Sequence, residues 1–64
     1  MEPQIGDIWR FDFHRSYKAV HVLIEGVEDV VPNDKIIHLR ILETGETRTR
    51  FVATFLDENP TKVA

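Results

Sequence analysis

The sequence predicts an all-β domain: five short strands, with one helical turn before the last. Three observations predict it. Apolar and polar residues alternate with a period of two through successive stretches, as strands with one buried face require. Breakers at Pro3, Gly6, Gly26, Pro32, Gly45 and Pro60 cut the chain into pieces of strand length. Helical spacing occurs only at Val52, Phe55 and Leu56, across less than two turns.

The first strand is "IWRFDF", residues 8–13, with Trp9, Phe11 and Phe13 on one face and Ile8, Arg10 and Asp12 on the other. "HRSYK" follows as a loop that places Tyr17 outside. The second is "AVHVLIEGVED", residues 19–29, where Val20, Val22 and Ile24 share a face and Gly26 marks a bulge or bend. "VVPNDK" is a turn, because proline fixes φ and Asn and Asp bond back to the backbone. The third strand is "KIIHLRIL", residues 35–42, with Ile37, Leu39 and Ile41 on the core side. "VATFLDENP" reads as a turn of 3₁₀- or α-helix that caps a barrel end, stopped by Asn59-Pro60, and "TKVA" is a short fifth strand.

The fourth strand, "ETRTRFV", returns from the third through "ETG", and its register decides where two arginines go. A two- or four-residue loop sets Arg48 and Arg50 on the core face. A three-residue loop, with Gly45 left-handed in a bulged turn, pairs Ile41 with Thr47, Leu39 with Thr49 and Ile37 with Phe51. The other face then pairs Arg40 with Arg48 and His38 with Arg50. Register follows the buried face, so the three-residue loop is the expectation.

Residues 1–64 make a single domain with a small core, and a chain of this size buries only about 60% of its unfolded surface. There is no cysteine, so neither a disulfide nor a thiolate zinc site is expected, and a reducing cytoplasm is the expected location. The 42% hydrophobic content suffices for a folded core. No apolar run approaches the ~20 residues that span a membrane, and "MEPQIGDIW" lacks the parts of a signal peptide. The formal charge of −3 argues against a general phosphate-backbone binder. The acid is concentrated in residues 1–35, with seven Asp/Glu against four Lys/Arg; residues 36–64 are balanced at four each.

This order of elements resembles an SH3-like small barrel. The opening "GDIWRF" is similar to the Gly-Asp-hydrophobic start of such barrels, including KOW-type modules. The likeness extends over "GDIWRFDF", residues 6–13, to toxins of the MazF type. The residues that would carry ribonuclease chemistry have no match here, so that activity is not carried over. The tail "FVATFLDENPTKVA" is similar to that of short barrels encoded by phages and other mobile elements. The resemblance implies an SH3-like five-stranded barrel and no particular activity.

Chemistry-bearing patterns are sparse. His14, His21 and His38 show no ligand spacing, so no metal is expected and no cofactor is implied. Ser16 and Thr47 lack a triad partner, and the glycines form no phosphate loop; the chain is not expected to be an enzyme. Glu25, Glu28 and Asp29 read as a solvated acidic strand end. Two candidates for binding remain. One is the cluster His38, Arg40, Arg48 and Arg50. Like charges facing each other repel, so the cluster needs either local acid (Glu43, Glu46, Glu25) or an anionic partner. The other is the aromatic set, in which Trp9 or Tyr17 serves as an apolar anchor and Phe11 and Phe13 as core. The strand "VHVLI", with Leu23 facing away from the core, is a candidate edge for a homodimer.

The expected function is therefore a non-catalytic binding protein that occupies a surface of another protein, in the manner of a phage or mobile-element accessory or inhibitor. A KOW-type nucleic-acid-binding module is the runner-up. An oligomeric sponge for an anionic nucleotide signal is the third reading.

Overall fold

The computed structural model describes residues 2–11 and 19–64; Met1 and residues 12–18 lie outside them. Five antiparallel strands form one unclosed sheet, with one short helix. The strands are β1 (Ile8–Phe11), β2 (Val20–Val31), β3 (Asp34–Ile41), β4 (Thr47–Phe51) and β5 (Thr61–Lys62), and α1 spans Val52–Asp57. The spatial order is β4-β3-β2-β1-β5. The meander β1 to β4 needs only hairpins, whereas α1 carries the chain from one end of the sheet to the other.

On the described parts of β1, β2 and β3 the predicted core face is the observed one. Trp9, Phe11, Val22, Ile24, Ile37, Leu39 and Ile41 are buried, and α1 closes over them with Val52 and Phe55. Phe55 is fully buried, stacked on Phe11 with ring centroids 4.9 Å apart and set edge-on to Trp9 at 5.5 Å. The Trp9 indole N–H donates to Asp7 Oδ2 at 3.3 Å. Asp7 Oδ2 also accepts the Gln4 N–H at 2.9 Å, in a turn where Gly6 adopts φ 95°. The Gly-Asp of the opening motif thus has a structural role: glycine supplies the left-handed step, and aspartate ties the turn to the tryptophan.

β2 is bent where Gly26 predicts. Ile24 pairs with Leu39 but Gly26 pairs with His38, so Glu25 is the extra residue of a bulge. The bulge shifts the phase of alternation. Ile24 and Val27, three apart in β2, face the same core as Leu39 and Ile37, two apart in β3. An added Cβ at Gly26 would lie 3.3 Å from Cδ2 of His38, whose ring covers the glycine.

Two expectations are corrected here. The hairpin between β3 and β4 uses a four-residue loop, Leu42 to Gly45, not three. Ile41 donates to Glu46 O at 2.8 Å and Gly45 donates to Ile41 O at 2.7 Å, with Gly45 left-handed at φ 79°. The register is therefore Leu39 with Arg48, Ile37 with Arg50, His38 with Thr49 and Arg40 with Thr47. Phe51 pairs with Ile36 on the outer face and is 43% exposed. The reason is that β4 is an edge strand, and four of its five residues are exposed. Its inward face costs an arginine little, because a long stem can lie on apolar surface with its head in water. The rejected alternative would have faced Arg40 with Arg48.

The second correction concerns the homodimer edge. "VHVLI" is bonded on both sides: Val20 to Leu23 pair with β1, and Val22 to Ile24 pair with β3. Leu23 lies between Ile8 and Arg40 and offers no edge to a second copy.

Candidate functional site

The register splits the predicted cluster between two faces. His38 and Arg40 stand on the outer face, and Arg48 and Arg50 on the other, along the β4 edge. Arg40 Nε donates to Glu25 Oε2 at 2.9 Å, and its Nη1 donates to Gly45 O at 2.9 Å. The extra residue of the β2 bulge thus supplies the counter-charge, and the guanidinium pins the β3–β4 loop. His38 Nε2 and Glu28 Oε1 are 2.8 Å apart. Arg48 Nη2 pairs with Glu46, two residues back and just before β4. Glu25 and Glu46 are two of the three local acids expected from the sequence; Glu28, read there as a solvated strand end, is a third partner.

What distinguishes Arg48 and Arg50 is the backbone that they cover. In an antiparallel pair every second residue turns its N–H and C=O toward the partner. The bond from Ile41 to Glu46 O sets that alternation, so Arg48 and Arg50 face β3 and Thr47 and Thr49 face the open edge. Arg48 Nη1 donates to Thr47 O at 2.9 Å, and Arg50 Nη1 donates to Thr49 O at 2.8 Å. Each guanidinium is folded back onto an outward carbonyl that a further strand would otherwise use. A groove of about 500 Å³ lies here, lined by Thr47, Arg48, Thr49 and Arg50 with Glu25, His38 and Leu39.

The aromatic candidates fare differently. Trp9 is only 4% exposed, held between Phe55 and Asp7, so it cannot be an apolar anchor at the surface; α1 and the β5 pairing cover it. Tyr17 lies outside the described residues, as do His14, Ser16 and Phe13.

A second groove lies under α1, with Glu2, Asp29 and Asp34 around Lys35. Lys35 Nζ sits 3.7 Å from Glu2 and 4.0 Å from Asp29, and Asp34 Oδ1 accepts the N–H of Lys35 at 2.8 Å. The lysine occupies the acidic ring. Among the described residues no three His, Asp or Glu are set to hold a metal ion.

His21 and Glu43 form a contact that sequence reasoning missed. Glu43 sits in the β3–β4 loop and accepts the His21 backbone N–H at 2.9 and 3.2 Å, with Oε2 2.9 Å from His21 Nδ1. These bonds, the side-chain one first, hold the Glu43 carboxyl below the usual glutamate value. A depressed carboxyl stabilises the fold above its unfolded value, and that contribution is lost as pH falls through the folded one. A carbon-detected titration of the glutamate carboxyls is expected to place the Glu43 midpoint below that of an unstructured glutamate, and His21→Ala is expected to raise it. An unshifted midpoint would refute the contact.

No family model, curated protein or solved structure matches the chain.

Proposed function

We propose that the chain is a small non-catalytic binding protein of the SH3-like kind, which docks an acidic surface of another protein against its β4 edge. The strand order, the long β2 bent at a bulge and the helical turn between β4 and β5 support the SH3-like reading. One observation carries the binding reading: Arg48 and Arg50 lie two residues apart along a free strand edge, their side chains reaching that edge. Arginine suits such a role because its planar fork bonds carboxylates in pairs. A protein partner is favoured over nucleic acid because the overall charge is −3, and Arg40, Arg48 and His38 each sit against a carboxylate. Small size and acidity fit an accessory or inhibitor protein of a phage or mobile element.

The test is affinity capture from nuclease-treated bacterial lysate, with the wild type beside R48E/R50E and a control, R10A, on the far strand β1. A partner captured by wild type and R10A but lost with R48E/R50E supports the reading. Capture that depends on nucleic acid, or that survives the double reversal, overturns it.

A further inference from the structure

We infer that the partner joins the sheet: an extended acidic segment adds to β4 as a sixth strand, and Arg48 and Arg50 are placeholders that it displaces. This rests on the proposed function and specifies its mode. An edge strand presents unpaired donors and acceptors, and the usual way to use them is to add a strand. On β4 those acceptors are Thr47 O and Thr49 O, and each holds a side-chain donor from the next residue. The exchange balances in hydrogen bonds. The incoming backbone N–H groups replace the two guanidinium donors at the carbonyls. The released guanidiniums then need acceptors, and carboxylates on the incoming strand supply them. The outward N–H groups of Thr47 and Thr49 donate in turn to the new strand's carbonyls.

Geometry sets the composition of the segment. Arg48 and Arg50 are on one face, about 6–7 Å apart along the strand by the usual rise per residue. Acidic residues at alternate positions repeat at the same interval, so a segment reading acidic-x-acidic presents both carboxylates to both arginines. A second copy of this chain is the wrong occupant. Antiparallel pairing of two β4 edges would bring the same arginines together from each copy, and like charges side by side oppose association. Glu46, already paired with Arg48, lowers the affinity by competing with the incoming acid, and it keeps the edge closed when no partner is present.

The probe is a seven-residue acetylated and amidated peptide in which Glu alternates with Thr or Val, compared with its Lys-for-Glu counterpart by amide NMR titration. The acidic peptide is expected to bind, to shift the Thr47 and Thr49 amides most and to slow their hydrogen exchange; the lysine peptide is not. R48A/R50A is expected to weaken binding at least about tenfold, the scale of lost charge-assisted hydrogen bonds. N-methylating alternate residues of the peptide separates strand addition from charge attraction. One alternate set points its N–H at β4, and methylating it is expected to abolish binding, while methylating the other set is expected to leave it intact. Arginine-dependent binding insensitive to N-methylation, with no protection at Thr47 and Thr49, would overturn strand addition and leave the proposed function standing. Failure of the acidic peptide to bind at millimolar concentration, while lysate capture still depends on the arginines, would also overturn it. Loss of that capture's arginine dependence would remove the function and the mode together.

Discussion

Phe55→Ala is expected to destabilise the domain by about 3–5 kcal/mol, the range for truncating a buried aromatic. A chain of this length has about 3–10 kcal/mol in all, so much of the population should be unfolded in water. The reason is position. Phe55 is the one fully buried residue of α1; it stacks on Phe11 and closes edge-on over Trp9. Truncation leaves a cavity among strands that are not free to collapse, because β1 is bonded to β2 on one side and β5 on the other. Trp9 is the only tryptophan, so its fluorescence in a urea titration reports the loss directly. Phe51→Thr is the matched comparison, on the outer face and 43% exposed. It is expected to cost less than about 1 kcal/mol. Comparable losses at the two positions would restore the register in which Phe51 faces the core, and with it the three-residue loop.

That contrast marks where local reading stops. The core faces of β1, β2 and β3 were legible because those strands are covered. Val22, Ile24, Ile37 and Leu39 recur at alternate positions, and all four are buried. Even the bulge was legible, since Gly26 interrupts a run whose apolar phase changes between Ile24 and Val27. β4 broke the rule because the parity argument treats every inward position as buried. At a sheet edge that condition fails, and Arg48 and Arg50 occupy inward positions, one exposed and the other half-exposed. Trp9 shows the complementary limit. Alternation places it beside Phe11, but only the distant α1 and β5 decide that it is covered. The charges divide in the same way. Glu25, Glu43 and Glu46 were all visible as acid near the cluster, and Glu25 does pair with Arg40 and Glu46 with Arg48, whereas Glu43 turns to His21, a partner on β2 that local reading did not connect with it. Of the five binding candidates among the described residues, Arg48 and Arg50 are the two whose side chains reach the free edge; the sixth, Tyr17, lies outside those residues.

Gly26→Val is expected to destabilise by about 1–3 kcal/mol, as overpacking does, and His38→Ala in the same chain to recover at least half of the loss. Gly26 does not adopt a positive φ, so backbone strain is not the cause. The cause is the His38 ring, 3.3 Å from an added Cβ and tethered through Nε2 to Glu28 at 2.8 Å. Alanine needs that ring to give by a few tenths of an ångström. Valine adds two further methyls in the same space, and His38 must leave Glu28 to admit them. His38→Ala alone should cost little, since an exposed histidine-carboxylate pair contributes at most about 1 kcal/mol. Replacing glycine also reduces the freedom of the unfolded chain, which favours the valine. The double variant therefore gains that benefit without the clash and can match or exceed the wild type. The sign of the coupling is the diagnostic: His38→Ala destabilises the wild-type chain slightly and stabilises the valine chain. Additive losses, read from urea midpoints followed by Trp9 fluorescence, would mean that His38 does not lie over Gly26. The bulge that positions Glu25 for Arg40 would then be misplaced, and the assignment of Arg40 as a neutralised residue would fall with it.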